Sequence, residues 1–303
     1  MKKYFIIFIF LIASAGHAQQ DAQYTQYMYN TALFNPAYVG SEDFLKISGV
    51  YRSQWVGLDG APETLSLSIN NRIGKNVGLG GSIISDKIGP SSETIFNVDF
   101  SYTLDFEKTH LAFGLKAGAN ILNVDFSQLT GSDEDVIFQN NIDNRFTPNV
   151  GVGAYYYSDN YYIGLSVPQL LETNHYERNE REETFLAKER FHTYFMGGYV
   201  FNLSNELKMK PAYLLKLTDG APLQLDLSAN FLFMDKFTLG ASYRLNSAVS
   251  ALAGLQILDN IFVGYSYDAD TTALRNYNSG SHEIVLKFDI ANTLSKYMSP
   301  RFF

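Results

Sequence analysis

From Phe44 onward the chain alternates apolar and polar residues in runs of about ten, the length a tilted membrane β-strand needs. In 223–233, Leu223, Leu225, Leu227, Ala229, Phe231 and Phe233 share one face, while Gln224, Asp226, Ser228 and Asn230 share the other. The same split recurs in 237–245 and in 261–268, where Ile261, Val263, Tyr265 and Tyr267 oppose Phe262, Gly264, Ser266 and Asp268. A period of two also suits a soluble sandwich, so the connections must choose between the two folds. Roughly fourteen strands are expected, and every second connection is tight: 71–76, 105–108, 158–160, 202–205, 234–236 and 258–260. Those between include long ones at 127–149, 168–189 and 269–281. Tight turns on one side and long loops on the other predict an all-β fold, an antiparallel outer-membrane β-barrel over 44–303, with both termini on the tight-turn side.

After the tight turns one phrase returns in variants, "VGLGGSI", "LAFGLKA", "YIGLSVP", "FTLGASY" and "IFVGYSY", each carrying a glycine: Gly80, Gly114, Gly164, Gly240 and Gly264. Glycine inside a strand marks a bend, a bulge or a close approach by another backbone. Barrel curvature is the expected role here, and contact with a ligand the alternative.

Composition places the barrel. Lys2 and Lys3, an apolar run over 4–13 and the small residues Gly16 and Ala18 read as a secretory signal peptide over 1–18. The remaining chain has no Cys, which excludes a disulfide scaffold and any thiolate site. A net charge of −8 with scattered Lys and Arg disfavours nucleic acid as a partner. Twenty-one Tyr and 23 Phe beside one Trp, with 23 Gly, fit an aromatic-girdled barrel.

Residues 19–43 break the pattern. Asp21 is placed to cap a short helix carrying Tyr24, Tyr27, Met28 and Thr31, and Asn35-Pro36 would end it just after Phe34. So short a helix needs a surface on which to bury its rings. A barrel lumen or rim would supply one, so the segment is expected to be a helical plug or lid, with a partner-binding strap as the alternative.

In "YRSQW", Arg52 and Gln54 face one side of a strand, and Tyr51, Ser53 and Trp55 the other. Trp55 suits an interfacial anchor. Arg52 in a lumen demands a carboxylate, for which Asp99, Asp226 and Glu283 are candidates. The run 131–144 holds Asp133, Glu134, Asp135 and Asp143, oxygen ligands without the EF-hand order, and reads first as a solvated acidic loop. The run 177–190, with Arg178, Glu180 and Arg181, mixes both signs and suits electrostatic recognition of a partner. Enzyme signatures are thin. His110, His175, His192 and His282 form no metal motif, "GLSVP" lacks the last Gly of a nucleophile elbow, and "GLGG" is not followed by a helix. No cofactor is expected.

The blocks "QYMYNTALFNPAYVGSEDF", "YRSQWVGLDGAPETLSLSI", "VGLGGSIISDKIGPSSET", "LKMKPAYLLKLTDGAPLQLDLSANFLFMDKFTLGASYR", "NSGSHEIVLKFDI" and the ending "SPRFF" resemble the PorP/SprF family of outer-membrane proteins over essentially the whole mature chain. The resemblance implies a non-enzymatic part in type IX secretion in the Bacteroidetes, supporting export and surface attachment of proteins such as gliding adhesins. Implied partners are a secreted protein or adhesin C-terminal domain, periplasmic type IX components including a peptidoglycan-binding lipoprotein, and outer-membrane lipid. Residues 128–146 and 172–189 match least. A small-solute porin and a barrel enzyme are the competing functions. The residues do not separate a core component from an adhesin-specific one.

Overall fold

A computed structural model describes residues 22–128, 141–171, 192–218 and 221–291. Its strands, in chain order, are β1 (Phe44–Ser53), β2 (Glu63–Ile73), β3 (Val77–Ile88), β4 (Ser91–Asp105), β5 (His110–Val124), β6 (Ile142–Tyr157), β7 (Tyr161–Val167) and β8 (His192–Tyr199). There follow β9 (Phe201–Asn202), β10 (Leu207–Thr218), β11 (Gln224–Phe233), β12 (Phe237–Arg244), β13 (Ala248–Leu258), β14 (Ile261–Asp270) and β15 (Ser281–Ala291). Every pairing is antiparallel and, apart from β8 with β10, joins chain neighbours until β15 returns to pair β1 from Phe44↔Ala291 to Ser53↔His282. β8 and β9 pair with the same strand, β10, on either side of Val200. Counted as one stave they give a closed barrel of fourteen.

Closure follows from the two-residue period. Along β15 the outward residues Ile284, Leu286, Phe288 and Ile290 are 44–50% exposed, while Glu283, Val285, Lys287 and Asp289 are buried inside. β11 and β14 divide in the same way, with Leu227 and Tyr265 outside and Asp226, Ser228, Ser266 and Asp268 inside. The wall is therefore apolar outside and rich in hydroxyls and charge inside, as hydrocarbon and a hydrated lumen require. No helix among the described residues is long and apolar enough to cross a membrane; here the strands cross.

All six expected tight turns lie on one rim. In the turn after β11, Met234 and Asp235 both take positive φ, 52° and 55°, the backbone that lets a two-residue turn follow the twist of its strands. The opposite, loop rim is mixed. It carries the connections 54–62 and 271–280 but also the two-residue link Gly89–Pro90. β6 begins at Ile142, so the wall consumes part of the expected 127–149 loop. Heights differ around the ring, with fifteen residues in β4 and β5 and sixteen in β6 against seven in β7. Near the turn rim the outer face carries an aromatic row in which Tyr156, Tyr161, Tyr199 and Phe201 lie 4.5–6.3 Å apart, ring to ring.

Residues 22–43 run inside the barrel. The expected helix does not form. Three single 3₁₀ turns, Tyr27–Tyr29, Thr31–Leu33 and Pro36–Tyr38, replace it. Asn30 (φ −136°, ψ 57°) and Asn35 (φ −133°, ψ 110°) leave helical geometry between them. The amides of Thr25 and Gln26 go to the wall rather than to a helical ladder, which is how a short segment meets its backbone demand without one. Direction also differs from expectation. The described chain starts at the loop rim, where Gln23 bonds Gln224 at the start of β11 and Arg244 at the end of β12. It reaches the turn rim at Gly40, whose carbonyl accepts from Arg72 Nε at 2.7 Å.

Candidate functional site

The feature that sequence and fold single out together is this lumenal segment and the wall that holds it. From Ala22 to Ser41 it carries no charge. Tyr24, Tyr27, Met28, Phe34, Asn35 and Pro36, the residues expected to fill the lumen, are all buried.

At the loop-rim end the hold is ionic. Arg52 on β1 reaches Asp268 Oδ2 at 2.7 Å and Glu283 Oε2 at 3.0 Å, and all three side chains are no more than 3% exposed. Glu283 also accepts the amides of Thr25 (2.8 Å) and Gln26 (2.7 Å), while the Thr25 hydroxyl donates to Asp268 at 2.7 Å and accepts from Arg52 at 3.0 Å. Buried charges are tolerated only when paired and fully hydrogen-bonded, and here the segment supplies several of the remaining bonds. Of the candidate partners for Arg52, Glu283 is correct. Asp99 pairs with Lys116 instead (2.7 Å) and Asp226 with Arg244 (2.7 Å). Asp268, two strands from β1, was not legible as a partner, because alternation fixes its face but not its depth.

Midway the hold is aromatic. Tyr24 meets Phe34 edge-on at 5.7 Å, Phe34 meets Tyr194 at 5.3 Å, and Tyr29 lies 4.7 Å from Phe262 with Lys287 Nζ 5.5 Å from its ring.

Toward the turn rim the hold is steric. A Cβ at Gly114 would stand 2.1 Å from the Ala37 nitrogen, one at Gly153 2.1 Å from Asn35 Oδ1, and one at Gly78 2.1 Å from the Val39 carbonyl oxygen. Asn35 Oδ1 accepts from the Ala37 amide, and its Nδ2 donates to the Ala154 carbonyl. Of the recurring glycines, Gly80, Gly114, Gly164 and Gly264 all admit atoms of the segment, so close approach and not curvature alone explains them. Gly240 leaves room for the side chain of Asn230. In sequence the two roles look alike.

Elsewhere Tyr51 faces outward at 44% exposure, and Gln54 is buried. Trp55 lies just past β1 with φ 46° and donates its amide to Ser281 Oγ. His192 is buried with Nδ1 2.5 Å from Thr218 Oγ1, while His282 lies on the outer face with Nδ1 2.7 Å from the Tyr265 hydroxyl. No group of three metal-ligating residues occurs among the described residues. Asp133, Glu134, Asp135, Arg178, Glu180 and Arg181 lie outside them.

An apolar exterior, a polar interior and one closed antiparallel sheet define an outer-membrane β-barrel protein. The model of the type IX secretion system membrane proteins PorP/SprF matches residues 16–288, and the chain belongs to that family. No curated protein matches the chain. Solved structures of outer-membrane proteins align with it at low identity. Omp33 of Acinetobacter baumannii is 11% identical over 83% of this chain and 100% of its own, with a TM-score of 0.48. The monoaromatic hydrocarbon channel CymD is 12% identical over 90% and 93%, TM-score 0.48. A deletion mutant of the monoaromatic hydrocarbon channel TodX is 10% identical over 86% and 94%, TM-score 0.49.

Proposed function

We propose that this type IX secretion protein works without catalysis, binding an exported protein such as a gliding adhesin at its loop rim and periplasmic components of the system, among them a peptidoglycan-binding lipoprotein, at its turn rim. The observation that carries this reading is the occupied lumen. An uncharged segment runs from one rim to the other and is buried along its length, so it acts as a plug and leaves the rims as the places of work. The loop rim faces the cell exterior in this reading, and the stretches that match the family least, 128–146 and 172–189, carry partner choice outside the start of β6 at Ile142, since loops on a rigid scaffold can change while the barrel holds. Asp133, Glu134, Asp135, Arg178, Glu180 and Arg181 supply the charge that orients the exported protein's C-terminal domain.

Exchanging both stretches with those of a relative that serves another adhesin is the test. The retained surface protein should change while barrel assembly stays intact. Unchanged retention would sink the reading.

A second reading, a solute channel, draws on the hydroxyl-rich wall, in which Ser66, Ser101, Ser166, Ser228 and Ser266 face the segment side of the barrel. Single-channel recording separates the two. The intact protein should be silent, and porin-like conductance would favour the channel.

A further inference from the structure

We propose that the lumenal segment is an internal clasp for the barrel seam, so that seating Thr25–Gln26 and zipping β15 onto β1 are one coupled event.

The seam joins the first strand to the last. It is the pairing most distant in sequence and therefore the one that demands the most chain ordering before it repays any. Its register sets Arg52 directly against Glu283 and Lys46 against Asp289. The Arg52–Glu283 pair is buried, and a buried ion pair repays its desolvation only when the remaining lone pairs and protons also find partners. Several of those partners come from the segment. Glu283 takes two backbone amides from it, Thr25 and Gln26, one on each carboxylate oxygen. The Thr25 hydroxyl then bridges Arg52 on β1 to Asp268 on β14. Lower in the lumen, Tyr38 O–H accepts from Lys46 on β1 at 2.7 Å, and Tyr29 packs on Phe262 of β14 beside Lys287 of β15. The segment thus touches β14, β15 and β1 at several depths, and its opposite side is fixed in the glycine seats on β3, β5 and β6. The segment adds bonds to the Arg52–Glu283 pair that the strands alone do not supply, and opening the seam would draw apart the β15 carboxylate and the β1 cations that the segment binds together. By linkage each state stabilises the other.

A chain without Cys makes the seam directly readable. Gly49 and Leu286 are register partners across it, and Ala229 and Ala241 are register partners between β11 and β12. While the full-length protein refolds into lipid vesicles, oxidation of Gly49→Cys/Leu286→Cys reports closing of the seam, and Ala229→Cys/Ala241→Cys reports a distant pairing. Thr25→Pro removes an amide and a hydroxyl from the clasp and changes no strand residue; with three hydrogen bonds to charged groups lost, it should lower the rate of seam disulfide formation about tenfold or more and leave the distant pair unchanged. Thr25→Val keeps the amide and should lower it about threefold. An unchanged seam rate in both variants, or an equal fall at both pairs because the fold as a whole is weakened, would overturn the proposal.

Discussion

The two ends of the lumenal segment are held by different physics. Around Thr25 and Gln26 the wall uses charge: one arginine and two carboxylates, all buried, with two backbone amides of the segment donating to Glu283. Around Asn35–Gly40 the wall uses absence: Gly78, Gly114 and Gly153 withhold side chains so that backbone can lie against backbone. A charge-held contact is costly to leave half-made and tolerates small displacements. A shape-held contact carries no such penalty but tolerates almost no added volume.

The largest expected effect breaks the charged end. Arg52→Ala leaves Asp268 and Glu283 buried without their cation and should cost about 3–5 kcal/mol in a urea titration of the refolded barrel. Pairing it with Glu283→Gln should recover part of that loss, because the two groups share one network. Next comes the shaped end, where Gly114→Ala places a methyl onto the Ala37 backbone and should cost about 1–3 kcal/mol in the same titration. Asn35→Ala, which removes the Ala37 cap and the bond to Ala154, should cost about 1–2 kcal/mol. The smallest single effect is Thr25→Val, about 1 kcal/mol or less, with two hydroxyl bonds lost in an otherwise intact cluster. The comparison itself is sharpened by Arg52→Ala combined with Gly114→Ala. If the two ends are independent holds, their costs add to within about 0.5 kcal/mol; a clear shortfall would mean that releasing one end already releases the other.

The outer half of this molecule was open to reading from sequence because lipid imposes one rule on every strand. Ile284, Leu286, Phe288 and Ile290 announce β15 as plainly as Leu225, Leu227 and Ala229 announce β11. The inner half follows no such rule. That Arg52 needs an acid is legible, and Glu283 is a fair candidate because β1 and β15 must meet to close the ring. Asp268 is not, since its place depends on register carried across two strands. The segment misleads for another reason. The spacing of Tyr24, Tyr27, Met28 and Thr31 is helical, but Asn30 interrupts it, and the wall outbids a helix for the amides of Thr25 and Gln26. The start of the segment at the loop rim is likewise a matter of threading, which no local pattern records.

The aromatic row on the outer face near the turn rim works as a waterline. Tyr156, Tyr161, Tyr199 and Phe201 fix where the barrel floats, because rings of this kind settle at the boundary between hydrocarbon and headgroup. Measured upward from that mark, a tilted strand clears the hydrocarbon after about 9–11 residues. β4, β5 and β6, with fifteen or sixteen residues, do not stop there. Their far ends are polar, with Ser91, Ser92 and Glu93 on β4, Asn123 on β5, and Asp143, Asn144 and Arg145 on β6, and so stand clear of the bilayer as a parapet of continuous sheet. Among the described residues β7, with seven, has no such freeboard. The sheet among the described residues therefore rises higher on one side of the ring than on the other.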